Sequence, residues 1–206
     1  MPLTGFNAAD FNVFKIGGLE PRMEAIKERI QPKLLALGEH FTAELSILTG
    51  DEMFPHVAKH LRRTINPPND TWVAFAGNNR GYKMLPHFQI GLWETHVFIW
   101  FAVIYEASNK AKFGEVLQQH VSEIKNSIPD NFVWSADHTK PGAIPHRDLN
   151  EQDLTEMFQR LQTVKKAEIL CGMHIPREEA VMLSGDDFVK SVADVFVKLI
   201  PLYKMY

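Results

Sequence analysis

The sequence predicts an α+β fold, with a mostly antiparallel central sheet flanked by N-terminal, middle and C-terminal helices. Helical patterns cluster towards the two ends of the 206-residue chain, and several β-type segments follow one another between them. Runs of strands beside runs of helices favour α+β over the alternating order of a parallel sheet. The length suits one large domain, and no stretch has the composition of a linker, so a single domain is expected over residues 1–206.

The N-terminal helices are predicted from capping residues and apolar spacing. Asn7 is a suitable cap for a short first helix, because its side-chain oxygen can accept from the free amides of the first turn. A second helix has Pro21 in its first turn, and Pro32 is expected to end or kink it. A third stretch carries leucines at helical spacings, and Gly50 is the expected stop.

Three segments between the helices have β patterns. Residues 71–76 are β-rich, and residues 87–93 alternate apolar and polar side chains with the period of a strand. Residues 96–106 are apolar on both faces, as in a central strand covered on both sides. The short Glu94-Thr95 connection predicts that the last two form a hairpin. Residues 53–61 fit either a strand or a helix.

The remainder of the chain alternates between helical and strand patterns. Asn150 and the acidic residues that follow it are typical of a helix start, and either Ser184 or Asp186 is expected to cap the last helix. The predicted segments are a helix over 109–127, a strand over 132–138, a loop over 141–145, a helix from Asn150 to about Val164, a strand over 168–175 and a final helix to about Tyr203.

Composition favours a soluble cytoplasmic protein. The N-terminal residues lack the positive and apolar regions of a signal peptide, and the longest apolar run, Val97–Tyr105, is too short for a membrane span. The single cysteine, Cys171, excludes an intramolecular disulfide and is interpreted as a small buried apolar residue. A sequence pI near 6.3 argues against bulk attraction to nucleic acid, although a local basic patch remains compatible with it.

One such patch is the basic segment, which we define as His56–Gln89. It contains five Lys/Arg and one acid, Asp70, in a chain whose formal net charge is −3, so the remaining residues sum to −7. Guanidinium groups bind phosphate or carboxylate oxygens in pairs, and an indole can stack on a planar ring. The predicted ligand-binding residues are Arg62, Arg63, Trp72, Arg80, Lys83, His87 and Gln89. The alternative is a solvated strand and loop edge with ordinary surface charges.

Metal and catalytic motifs are weak in this sequence. His56 and His60 are spaced to share one face, but the surrounding arginines disfavour a divalent cation, so no metal and no cofactor is predicted. Asp137-His138 is interpreted as turn chemistry, because adjacent residues on a strand point to opposite faces. Common nucleophile and nucleotide-binding motifs such as G-x-S-x-G and the Walker A loop are absent, and no catalytic residue is assigned.

Several blocks carry a resemblance to a known family. The sequences HVAKHLRRTINPPNDTW, RGYKMLPHFQIGLW and HVFIWFAVIYE, together with LTGF and RMEAIKERIQPK nearer the N-terminus, resemble the YktB-like proteins of bacilli and their relatives. The resemblance covers essentially the whole chain. It implies a single α+β domain in a bacterial cytoplasmic protein, and it brings no activity, substrate or catalytic residue.

Three functions remain open from the residues alone. The first is a protein that binds an anionic small molecule, a nucleotide or nucleic acid through the basic segment. The second is a hydrolase or transferase for a small phosphorylated or acyl substrate, with His60 or His87 as general acid or base. The third is a protein-interaction module with an aromatic surface. No membrane partner is expected, and the oligomeric state is not predicted.

Overall fold

A computed structural model describes residues 3–206. Over that range the chain forms one seven-stranded sheet in which every neighbouring pair is antiparallel, and the predicted α+β class is confirmed. The strands are β1 (Phe54–Val57), β2 (Asp70–Ala76), β3 (His87–Trp93), β4 (His96–Val103), β5 (Val133–Ser135), β6 (Ile144–Pro145) and β7 (Ile169–Pro176). Their spatial order is β1-β2-β3-β4-β7-β5-β6.

The helices begin and end largely where the capping residues predict. Asn7 and Asn150 each form a capping box, and Ser184, not Asp186, caps the last helix. The α-helices are α1 (Ala8–Asn12), α2 (Leu19–Ala25), α3 (Gln31–Thr49), α4 (Lys110–Gln119), α5 (Val121–Ser127), α6 (Glu151–Thr163), α7 (Arg177–Ala180) and α8 (Gly185–Lys204). Short 3-10 turns occupy Val13–Lys15 and His146–Asp148.

The region of Pro32 shows how the helix accommodates a proline. A π-helical segment, Ile26–Ile30, joins α2 directly to α3, so the chain is irregular there but does not stop. Proline has no amide hydrogen to donate, and a wider turn redistributes the carbonyl bonds around it. Gly50 then ends α3 with φ at 85°, as predicted.

Other boundaries differ from the sequence predictions. The ambiguous residues 53–61 form the edge strand β1 followed by an irregular segment, and the predicted strand over 96–106 ends at Val103. The helix over 109–127 breaks at His120, and the strand over 132–138 keeps only three residues. The predicted loop over 141–145 includes β6, while α7 was not predicted.

The two faces of the sheet are covered differently. Phe88, Ile90 and Leu92 of β3 belong to the main core with the buried sides of the helices. The opposite face carries a second apolar cluster built from strands and connections, and no helical residue in the described part of the chain joins it. Gly91 is required there, because a Cβ at this position would lie 2.3 Å from Cζ of Phe98. We call this second side the helix-free face.

Candidate functional site: a basic cleft on the helix-free face

A cleft of about 800 Å³ opens on the helix-free face beside the edge strand β1 and its neighbour β2. Three connections surround it: residues 58–69 between β1 and β2, residues 77–86 between β2 and β3, and residues 136–143 between β5 and β6. Of the seven predicted ligand-binding residues, the cleft brings together Arg62, Arg63, Trp72, Arg80 and Lys83. Gln89 lines a narrower recess at its inner end, and His87 lines neither.

The arginines of the cleft are available to a ligand. Arg62, Arg63 and Arg80 are exposed, and none of them forms a salt bridge within residues 3–206. Lys83, by contrast, forms a salt bridge, because its Nζ lies 3.5 Å from Oε1 of Glu106. The cleft therefore presents three uncompensated guanidinium groups and one partly compensated ammonium group.

Buried polar contacts anchor the connections that carry these cations. Arg22 of α2 is buried and donates to the carbonyl of Pro68 at 2.9 Å, which holds the end of the first connection against the helices. His60 adopts φ of 50°, in the left-handed region, and its carbonyl accepts from the amide of Arg63. In the second connection the side chain of Asn78 accepts from the amide of Arg80 at 2.9 Å. No pattern in the sequence indicates the Arg22 contact.

Trp72 forms the aromatic wall of the cleft, and its orientation is fixed by neighbours. The indole Nε1 donates to the hydroxyl oxygen of Tyr82 at 3.0 Å, and the ring of His60 meets the indole edge-on at 5.5 Å between centroids. Burial raises the pKa of Tyr82 to about 12, so its hydroxyl keeps its own proton. Tyr82 was missed in the sequence because tyrosine in a loop has no distinguishing pattern.

His87 is a structural residue behind Tyr82. It is fully buried, its Nδ1 lies 2.8 Å from the carbonyl oxygen of Leu85, and its Nε2 lies 2.9 Å from the amide nitrogen of Gln89. These partners make Nδ1 the donor and Nε2 the acceptor of a neutral ring. Burial lowers the pKa of His87 to about 4, in accord with that neutral state. Both ring nitrogens are engaged, which leaves none for a ligand.

The other two histidines of the basic segment are also engaged. His56 Nε2 lies 2.7 Å from the carbonyl oxygen of Asn78, and His60 Nε2 lies 3.1 Å from Oγ1 of Thr71. Burial and, to a smaller extent, the nearby Arg63 lower the pKa of His60 to about 4. Within the described residues, neither histidine belongs to a cluster with two further metal-ligating side chains.

The inner recess brings together Asp70 and His138, which the sequence patterns did not assign to one site. We define it by Asp70, Trp72, Tyr82, Lys83, Gln89, Ile104 and His138. His138 Nδ1 lies 2.8 Å from the carboxylate of Glu168, which also accepts from the backbone amides of His138 and Tyr105. Burial raises the pKa of Asp70 to about 6, against the opposing influence of His138 and Arg63.

Asp137 is the third acidic side chain near the recess, and it is occupied locally. One carboxylate oxygen of Asp137, one ring nitrogen of His138 and one carboxylate oxygen of Glu168 all lie within 4.8 Å of one another. The Asp137 carboxylate accepts from the amide and hydroxyl of Thr139 and pairs with Lys140 at 3.1 Å. These contacts, the Thr139 hydroxyl first, lower the pKa of Asp137 to about 2. Asp137 therefore serves the turn, as the sequence indicated, whereas His138 faces the cleft.

Fold and site together define an α+β protein with a basic cleft beside a histidine–carboxylate pair. A family model described as a domain of unknown function, DUF1054, matches residues 6–203. UPF0637 proteins of Bacillus velezensis and Bacillus licheniformis are each 54% identical over 200 residues, covering 97% of this chain and 95% of the relative. One of Bacillus cytotoxicus is 53% identical over 205 residues, covering 100% and 99%.

The chain belongs to the UPF0637 family, whose matching domain is DUF1054. The family resemblance noted in the sequence is thereby confirmed, and it carries no assigned activity. In the part of the chain that the structure describes, no helix is both long and apolar enough to cross a bilayer.

Proposed function

We propose that the cleft binds an anionic ligand that also contains a planar ring, such as a nucleotide or a short single strand of nucleic acid. The observation that carries the proposal is the convergence of Arg62, Arg63 and Arg80, all without carboxylate partners among residues 3–206, on a cleft walled by Trp72. Unpaired guanidinium groups around a concave surface are suited to phosphate oxygens, because each can donate two parallel hydrogen bonds.

The cleft also has the dimensions of a small-molecule site. Its volume of about 800 Å³ lies in the range usual for ligand pockets. A base or other planar ring would stack on the exposed part of Trp72, whose plane is held by Tyr82. Lys83 would contribute less than the arginines, since Glu106 already offsets part of its charge.

Salt dependence of binding gives the test of this proposal. Single strands release counterions with a slope of about −0.7 per phosphate contact in a plot of log K against log salt concentration. Three free arginines therefore predict a slope of about −2 for hexathymidylate, which is roughly a 20-fold loss of affinity between 50 and 200 mM salt. Binding is followed by calorimetry and by quenching of tryptophan fluorescence.

Matched charge variants separate the cleft from the general surface. Arg62→Ala/Arg63→Ala removes two cleft cations and should reduce the salt-dependent loss to about 3-fold, because one free arginine remains. Arg160→Ala/Lys198→Ala removes the same charge from exposed helical positions outside the cleft and should leave the slope unchanged. Equal slopes in both double variants, or no binding of hexathymidylate and AMP, would overturn the proposal.

A further inference from the structure

The inner recess contains two groups that can exchange protons with a ligand in the adjoining cleft. Asp70 enters it from the start of β2, and His138 enters it from the connection that follows β5. Their side chains line the same recess. No hydrogen bond joins them, and both also line the cleft of about 800 Å³, from which a reacting group can reach them.

His138 is held as a proton acceptor. Its Nδ1 faces the carboxylate of Glu168, which is 4% exposed and receives two backbone N–H bonds as well. A carboxylate at Nδ1 fixes the tautomer in which Nε2 carries the free lone pair. The ring of Tyr105 lies alongside the imidazole, with 6.5 Å between centroids and 30° between the planes. Glu168 is thus a positioning residue for His138.

Asp70 is the candidate proton donor, through the fraction of molecules in which its carboxyl is protonated. No side chain in the described part of the protein donates a hydrogen bond to its carboxyl group, and Ile104 adds an apolar surface to the recess. Burial without a hydrogen bond from another side chain raises the fraction of the carboxyl that is protonated. A pair of titratable groups in one recess with different partners is the arrangement used for acid–base chemistry.

We propose that Asp70 and His138 are the general acid and general base of a hydrolase that cleaves a nucleotide phosphodiester held in the cleft. The inference rests on the proposed function, because the arginines must hold the phosphate beside the recess. It is preferred to acid–base chemistry at His60 or His87, since Nε2 of His60 and both ring nitrogens of His87 are engaged with protein groups.

The reaction consumes water and changes no oxidation state. As the water oxygen bonds to phosphorus, Nε2 of His138 takes one of its protons. The bond from phosphorus to the leaving oxygen breaks, and the carboxyl proton of Asp70 passes to that oxygen. The products are a phosphomonoester and an alcohol, and proton exchange with solvent returns both groups to their starting states. Arg63 and Lys83, which line the cleft beside Asp70, would offset the negative charge on phosphorus.

A diester is favoured over a monoester by the chemistry of the pair. Phosphoryl transfer from a monoester passes through a loose transition state, for which positioning and charge stabilisation dominate and a base adds little. A paired acid and base contribute most where both the nucleophile and the leaving group need proton transfer. Trp72, at the border between cleft and recess, would place a nucleoside on one side of the phosphate.

Two substrates distinguish the roles of the two residues. Thymidylyl-thymidine has a strongly basic leaving alkoxide, whereas thymidine 5′-p-nitrophenyl phosphate releases a weakly basic phenolate that needs little acid assistance. Asp70→Asn should lower kcat on the dinucleotide by about 10²–10⁴-fold and on the nitrophenyl ester by much less. His138→Gln should lower kcat on both substrates by about 10²–10⁴-fold. All assays contain EDTA.

Further variants separate catalysis from folding. Glu168→Gln should lower kcat and alter its pH profile while the KM for the dinucleotide changes little, and Glu168→Asp should restore part of the activity. His120→Gln, at an exposed histidine paired with Glu123 outside the cleft, should leave activity unchanged. Thermal unfolding of every variant is recorded, so that a folding defect in Glu168→Gln is recognised by comparison with Asp70→Asn and His138→Gln.

Each outcome decides between the two proposals. Cleavage with the substrate-dependent loss in Asp70→Asn supports the acid–base assignment. Dinucleotide binding that is weakened by Arg62→Ala/Arg63→Ala but leads to no cleavage overturns the hydrolase and leaves the binding function in place. Absence of dinucleotide binding overturns both. Cleavage that survives in His138→Gln and Asp70→Asn, or that stops in EDTA and returns with added metal, overturns the assignment.

Discussion

Asp70 is expected to destabilise the folded protein at neutral pH, and Asp70→Asn should relieve that cost. Burial raises the pKa of this carboxyl from 3.8 to about 6. Because the folded pKa lies above the unfolded one, ionisation is harder in the folded state, and the cost is fully present above about pH 6 and absent below about pH 4. One pKa unit is worth about 1.4 kcal/mol, so the full cost is about 3 kcal/mol.

Partial solvent access to Asp70 reduces that figure to about 2 kcal/mol. The groups that face it are His138 from the third connection, Arg63 from the first, and Tyr82 and Lys83 from the second. Arg63, and His138 when it is protonated, favour the carboxylate, yet burial outweighs them. Asparagine has nearly the same shape and no charge, so the substitution isolates the ionisation from packing.

Urea unfolding from pH 4 to pH 8 measures this effect. The free energy of unfolding of Asp70→Asn should exceed that of the unaltered protein by about 2 kcal/mol at pH 8, and the two should converge near pH 4. Asp186→Asn, an exposed acid in the first turn of α8, is the control and should show no such gain. A difference that stays constant with pH, or a loss of stability at pH 8, would refute the account of Asp70 as a desolvated carboxyl.

Three further predictions test the structure around the site. Gly91→Ala should cost about 3 kcal/mol in urea unfolding, because the new Cβ would overlap Phe98, whereas Gly17→Ala, with open space around it, should be nearly neutral. Tyr82→Phe should cost about 1 kcal/mol and shift tryptophan emission, since the indole of Trp72 loses its acceptor, and an unchanged spectrum would contradict that contact. Hexathymidylate should slow amide hydrogen exchange in residues 58–69 and leave α6 unaffected; equal effects on both would indicate non-specific binding.

The helices and the central hairpin could be predicted because their determinants are local. Asn7, Asn150 and Ser184 lie next to the amides that they cap, and the alternation in β3 is visible within seven residues. The prediction that Pro32 ends or kinks a helix was incomplete, because it used local information only. A missing amide shows where a helix is disturbed, but packing against the core decides whether the chain leaves the helix or widens one turn.

The sequence predicts which residues lie near the cleft, but it does not predict which of them are covered by other side chains. Charge counting found Arg62, Arg63 and Arg80 because they are close in the chain and free of nearby acids. Strand alternation placed His87 and Gln89 on the side opposite the main core, and they do lie there. Alternation does not say what covers that side. Tyr82 folds over His87 with their ring centroids 4.8 Å apart, and it thereby buries a side chain expected to face a ligand.

The pairing of His138 with Glu168 depends on the order of strands in the sheet. Strand β7 lies between β4 and β5 although it comes last in the chain, and its Leu170 is opposite Ser135 of β5. In an antiparallel register the chain beyond Ser135 runs alongside the chain before Leu170, so His138 and Glu168 meet at one edge. The expectation that Asp137 and His138 point to opposite faces of a strand does not apply, because β5 ends at Ser135 and their side chains come within 4.8 Å of one another. The carboxylate that His138 contacts is 30 positions away, on Glu168. The sheet topology thus positions His138. Substitutions that shift the β5–β7 register should displace its ring even though they leave residue 138 itself unchanged.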